Sequence, residues 1–250
     1  MSFITAYCHL NENSCSVNGK IFLQKSLEST ESWFKQLYKE LDVDYPKFYK
    51  MDSLAQAGFL ASELIKKIIP AISDTYKDDQ IALLFANKES SADTDIRFLE
   101  SYEEKKTPSP SLFVYTLPNI VLGEIAIRNK WYGENMFAIL PKFAPDFFVQ
   151  YGTILLSTGS KAVLAGWLGI LEGRVEVFVF LVEKESSTGI PFDNENVKKY
   201  AGVHTLNGYQ VMLFFTAGQV PHAVKYRYAE NQEHGHPHGY VKVYITDGFV

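Results

Sequence analysis

Three histidines recur at alternate positions late in the chain, His234, His236 and His238, with Glu233 beside them. On an extended backbone the three imidazoles would point one way, and with a carboxylate they form a donor set for Zn²⁺, Ni²⁺ or Cu²⁺. Gly235, Pro237 and Gly239 are interleaved with them, so the segment reads as a polar loop tip and no metal is assigned to it. Cys8 and Cys15 are the only thiols and lie seven apart across Asn11–Ser14. A working thiol pair is one use for them, and burial as small apolar side chains is the commoner one. Asp93 and Asp95 follow an apolar run; such a pair can hold a cation or exchange protons, and it can equally cap a helix over Ile96–Tyr102. Ser157-Thr158-Gly159-Ser160 falls at a helix end rather than a start, and His222 sits behind Pro221 in a turn. The chain carries no Gly-x-Ser-x-Gly elbow, no phosphate-binding Walker loop and no Gly-x-Gly-x-x-Gly after a strand.

Composition narrows the classes further. An apolar content of 46% with 14% aromatics over 250 residues suits a globular chain of one sizeable domain, or one with a small appendage. A net charge of −5 without a basic cluster argues against nucleic acid. Two cysteines make no disulfide framework, and no apolar run approaches the roughly 18 residues of a membrane span. The expectation is a soluble cytoplasmic protein.

The elements that must position these groups alternate. Ser2–Leu10 reads as a strand and Trp33–Leu41 as a short amphipathic helix. Asp52 caps a helix running to Ile69, with Leu54, Ala57, Ala61, Leu64, Ile65 and Ile68 as its apolar stripe and Pro70 as its stop. Gln80–Asn87 is a strand buried on both faces. A helix from Pro118 onward, a buried strand over Met136–Leu140, a helix over Phe143–Ser157 and a strand over Ala162–Leu168 follow. Glu172-Gly173-Arg174 interrupts before another buried strand, Val175–Val182. After a linker at Lys184–Gly189 the chain turns β-rich, with strands over Gln210–Phe215, Val224–Tyr228 and Val241–Ile245. This order implies an α/β layered fold with a mixed sheet.

The stretch from Pro108 to Gly166 also resembles a known family. Ser109-Pro110, Phe113, Asn119, Gly123–Ile127, Gly133-Glu134-Asn135, Gly159 and Leu164-Ala165-Gly166 match, in order, motifs of the N-terminal half of a β-ketoacyl synthase of the thiolase superfamily. Met51–Ala55 resembles that family's helix start, and Ser91–Asp95 stands where the family has a Gly/Ser-rich turn. The resemblance covers about residues 1–184. It implies a thiolase-like half, a mixed sheet with helices on both faces, with residues 185–250 as a small β-rich extension of unknown role.

In that family a nucleophilic Cys sits at the turn between the strand and the long helix. Counted from Gly133, its position falls on or next to Lys142, and no cysteine is near. The family's two catalytic histidines come from a C-terminal half for which the chain has no room. The resemblance therefore implies a scaffold without ketosynthase catalysis and without a cofactor. Asn119 and Lys142 are left as candidates for substrate contact. It also implies an active ketosynthase and an acyl carrier protein as partners, in a bacterial fatty-acid- or polyketide-type (pigment) system, as part of a homo- or heterodimer. In thiolase-like dimers the strand before the nucleophile turn, here Met136–Leu140, lines the two-fold axis. Two other readings stay open: an acyl-binding or acyl-transferring enzyme that uses Lys142, and an interaction protein of no catalytic class.

Overall fold

The computed structural model describes residues 1–186 and 189–206 and, beyond these, the strand residues 209–212, 225–228 and 241–244. The elements run β1 (Phe3–Asn11), β2 (Ser14–Val17), β3 (Lys20–Gln24), α1 (Trp33–Glu40), a 3₁₀ turn at Pro46–Lys50, α2 (Ser53–Ile68), α3 (Ile72–Thr75) and β4 (Ile81–Asn87). Next come α4 (Ala92–Lys105), α5 (Pro110–Val114), α6 (Ile120–Asn129), β5 (Asn135–Ile139), α7 (Pro145–Thr158), β6 (Ala162–Leu171), β7 (Arg174–Glu183) and β8 (Ile190–Pro191). The last are α8 (Asn194–Tyr200), β9 (Val203–Leu206), β10 (Tyr209–Met212), β11 (Lys225–Tyr228) and β12 (Val241–Tyr244). The chain divides into a unit of Met1–Asn194 and a unit of Glu195–Val250.

The first unit is built on one sheet in the order β3-β2-β1-β7-β6-β4-β5, with β8 also paired to β1. From β3 to β6 the neighbours are antiparallel, whereas β4 is parallel to both β6 and β5. Every residue of β4 is buried, as its unbroken apolar run requires of a strand covered on both faces. Alternation along the neighbouring strands shows what covers each face. Leu164 and Leu168 of β6 and Val177, Val179 and Leu181 of β7 share a core with α1, α2 and α6. The intervening Trp167, Phe178 and Phe180 meet Phe143 and Phe148, at and within the N-terminal end of α7. Helices therefore lie on both faces of a mixed sheet.

Asp52 caps α2 as its position predicts, accepting from the Ala55 N–H at 2.9 Å. The helix is buried on more than the expected stripe, because Gly58 and Phe59 are covered as well. A Cβ at Gly58 would stand 2.3 Å from Val121 of α6, so a residue without one is what lets the two helices approach.

Several expectations need correcting. The N-terminal segment continues past its first turn into β2 and β3 (the turn at Asn18-Gly19 joins them, with both residues at positive φ). β5 is an edge strand and only half-buried, with Asn135 and Ile139 exposed, because no described strand lies beyond it in the sheet. β6 continues through Gly169 to Leu171 and turns at Glu172-Gly173 directly into β7. α4 begins at Ala92, ahead of the two aspartates, and α6 begins at Ile120, two residues past Pro118. No helix among the described residues is long and apolar enough to cross a membrane.

In the second unit β9 pairs antiparallel with β10 and β11 with β12. Tyr226 faces Val243 and Tyr228 faces Val241, in keeping with the alternation read from the sequence. Val224, Ile245, His222, Glu233 and the metal candidates His234, His236 and His238 lie outside the described residues.

Candidate functional site at the junction of the fifth strand and seventh helix

Parallel strands of an α/β sheet concentrate function at their C-terminal ends, where loops and helix starts converge. In this chain β4 and β5 end side by side, tied by the Leu140 N–H donating to the Asn87 carbonyl at 2.8 Å. Beyond β4 the chain turns sharply. The Asn87 amide donates to the Ser90 carbonyl at 2.8 Å and accepts from the Ser90 N–H at 2.9 Å, with Ser90 at φ 54°. Asn87 is itself fully buried, so its side chain fixes this turn rather than meeting a ligand.

Beyond β5 comes the loop Leu140–Ala144. Lys142 is exposed there, and the next residue, Phe143, is buried. The Phe143 ring lies 5.4 Å from Phe148, 5.9 Å from Trp167 and 6.1 Å from Phe178, edge-on to the last two. His9 stacks on the far part of this layer, 4.8 Å from Phe178. The sheet face beside the junction is thus filled by aromatic rings.

α7 starts at Pro145, not at Phe143 as expected. Proline suits the first helical position and pushes the preceding residue out of the helical region, and Ala144 is extended at φ −127°, ψ 96°. Lys142 consequently stands in the loop, three residues ahead of the helix. Asn119 is exposed at the N-cap of α6 and makes no capping hydrogen bond from its side chain. The two substrate candidates lie on separate loops, and no hydrogen bond or ion pair joins them among the described residues.

The thiols are far from this junction. Cys8 lies on β1 and Cys15 on β2, while β5 closes the opposite edge of the sheet. Both are buried, at 0% and 1% exposure, and both are free thiols. Burial pushes Cys8 well above the usual thiol range and Cys15 up to about 12.

The carboxylates have structural partners. Asp93 accepts from the Glu172 N–H at 3.0 Å, and Asp95 accepts from the Ser91 hydroxyl. Both lie in the first turn of α4, where negative charge meets the positive end of the helix dipole. No group of His, Cys, Asp or Glu among the described residues could hold a metal ion. Glu124, in the Gly123–Ile127 motif, is buried and held by Lys47 at 2.7 Å and the Tyr115 hydroxyl at 3.0 Å. That bonding reads as a staple between α6 and the preceding segments.

One titratable group escaped the sequence reading. Glu176 is a lone charge inside the apolar run Val175–Val182, and that interruption was the signal for it. Burial, then the neighbouring Glu89, lifts its carboxyl from 4.5 to about 7. Glu12 acts the same way, while Arg174 and Lys88 oppose it.

No protein-family model and no curated protein matches the sequence. Structures match where sequences do not. The ketosynthase ApeO in complex with its chain length factor ApeC from Xenorhabdus doucetiae aligns at TM-score 0.50 and 13% identity, over 84% of this chain and 94% of that one. The ishigamide ketosynthase/chain length factor aligns at TM-score 0.53 and 13% identity, over 76% of this chain and 64% of that one. The AntDE:AntF complex, a type II polyketide synthase acyl carrier protein with its ketosynthase bound to the hexaketide, aligns at TM-score 0.55 and 9% identity. That match covers 73% of this chain and 62% of the other, so the chain spans under two thirds of the latter two. With helices on both faces of a mixed sheet and these likenesses, the chain has the thiolase-like fold of the ketosynthases.

Proposed function

We propose that this chain is a ketosynthase-like subunit with no ketosynthase catalysis of its own. In this reading it pairs with an active ketosynthase and works with an acyl carrier protein in a cytoplasmic fatty-acid- or polyketide-type (pigment) system. The observation that carries the reading is the β5–α7 junction, where the resemblance expects a nucleophile. A thiolate nucleophile needs sulfur at a helix start, where the local field lowers its pKa. Here the junction offers an exposed Lys142 and a buried Phe143 ring, and the chain's two thiols are buried on other strands. The edge position of β5 supports pairing, because among the described residues no strand pairs with its outer backbone edge, which a strand from another subunit could take. Solved structures of the same fold include a ketosynthase with a chain length factor and a ketosynthase with a carrier protein, which favours a partnered role.

Co-expression with the ketosynthase and carrier protein of the same host tests the reading. The expected result is a stable heterodimer, condensation by the pair, and no condensation by this chain alone. A pull-down from the host that recovers neither protein, or condensation by the chain alone, counts decisively against it.

The exposure of Lys142 favours a second, narrower role over covalent chemistry. An amine in water can meet a phosphate of coenzyme A or of a phosphopantetheine arm, whereas a Schiff-base lysine works from a desolvated pocket. Borohydride trapping with acyl or ketone substrates is expected to leave Lys142 unmodified.

A further inference from the structure

Helix α4 leaves apolar side chains exposed among its charged ones. Its buried positions carry hydroxyls: Thr94 donates to Asp52, and Ser101 donates to the Phe98 carbonyl at 2.7 Å. Its outward positions carry Ile96, Leu99 and Tyr102, with Leu99 56% exposed. Short helix α5 packs beside it through a Phe98–Phe113 contact of 5.8 Å; Phe113 and Val114 on it and Leu117 just beyond it are exposed, Phe113 at 64%. Single exposed apolar residues are ordinary, but three on α4, two on α5 and Leu117 just beyond it make a patch of the kind that is covered in use. Charge says by what. Among the described side chains of α4, Asp95, Glu100 and Glu103 lie exposed beside the apolar residues, against one exposed base, Arg97. A second copy meeting this face through a two-fold axis would bring acid onto acid. A partner with lysine or arginine around an apolar patch would meet opposite charge.

We infer that the α4–α5 surface docks a different protein, one whose apolar contact patch is rimmed by lysine and arginine, and that it disfavours self-association. This deepens the subunit reading above and rests on it for the partner's existence. The test does not need the partner's identity. A fluorescent helical peptide with leucines on one face and lysines beside them is titrated against the full chain, with a glutamate-rimmed version as control. The lysine peptide is expected to bind at least tenfold more tightly. Leu99→Ser with Phe113→Ser is expected to abolish that binding, and Glu100→Lys with Glu103→Lys to reverse the preference between peptides. Circular dichroism of each variant confirms folding, and Leu99→Ser alone, which leaves the Phe98–Phe113 contact in place, is expected to weaken binding in the same direction.

Equal binding of the two peptides, or no binding, overturns the proposal. So does lysine-peptide binding that survives Leu99→Ser with Phe113→Ser, which would be attraction to the chain's overall negative charge. Sedimentation showing a dimer of the unmodified chain that Leu99→Ser dissociates overturns it too. If no ketosynthase co-purifies with the chain, the subunit reading fails while these peptide results stand or fall separately.

Discussion

The Thr94 hydroxyl of α4 donates across 2.5 Å to the Asp52 carboxylate, whose other oxygen caps α2 through the Ala55 N–H. One buried side chain thus starts one helix and anchors another. Asp52→Ala removes the cap and strands the Thr94 hydroxyl, for a combined loss of about 2–3 kcal/mol. Asp52→Asn keeps an oxygen for Ala55 and a polar group for Thr94, so it is expected to lose under half as much. Urea unfolding of the two variants separates them, and equal losses would mean that Asp52 contributes no more than its charge.

Glu176 faces the rings of the α7 side with its carboxyl raised to about 7, chiefly by burial and then by Glu89. A raised acid binds its proton more readily in the folded chain than in the unfolded one. Its contribution is therefore complete below the unfolded value of 4.5 and is lost as pH rises through 7. The part of the stability profile due to this group is expected to fall between pH 5 and pH 8. Glu176→Gln is expected to flatten that fall and to gain roughly 2 kcal/mol at pH 8. A profile unchanged by the substitution would show that Glu176 stays ionised in the fold.

Much of this arrangement was legible from residue pattern, and the exceptions share a physical cause. The β4 run and the α2 stripe were read correctly because their burial is dictated by their own side chains. β5 was read as buried because Met136–Leu140 is apolar, yet a strand's place in the sheet depends on partners distant in sequence. β2 and β3 are hard to see although Asn18-Gly19 is a strong hairpin signal, because SCSV is only four residues long and KIFLQ does not alternate. At the junction, the family spacing points on or next to Lys142, but it cannot show that Phe143 turns inward or that Pro145 delays the helix. The exposed apolar residues of α4 are hidden for a similar reason: Thr94 and Ser101 are buried by what packs against them, not by their own chemistry.

Two glycines of the family-like motifs make opposite demands. A Cβ at Gly133 would lie 2.4 Å from the Ile81 carbonyl oxygen and 2.9 Å from that of Asp79, both backbone atoms with little room to yield. Gly133→Ala is expected to cost roughly 2–3 kcal/mol, as overpacking does, and to disturb the start of β4. At Gly123, within α6, a Cβ meets nothing within 4 Å. Gly123→Ala is expected to stabilise by about 0.5–1 kcal/mol through helix propensity. Thermal unfolding of the two variants checks both signs, and a destabilised Gly123→Ala would mean that this surface is covered.

The thiols test the catalytic question directly. Cys15 faces Leu10 in the β1–β2 register while Cys8 faces Val17, so the two sit diagonally on one buried face. The Cys8 thiol points to the Ala61 carbonyl of α2 at 3.6 Å, and burial keeps both groups protonated at neutral pH. Only the thiolate attacks, so neither is equipped to take an acyl group from a carrier. Incubation of the folded chain with Ellman's reagent at pH 7.5 is expected to release no colour on the timescale of a free thiol. Both cysteines should then react once urea unfolds the chain, at a rate set by unfolding. Rapid stoichiometric labelling of the native chain, or a thioester formed with a malonyl or acyl donor, would place a reactive sulfur at its surface. Either result would overturn the view that this scaffold works without ketosynthase chemistry of its own.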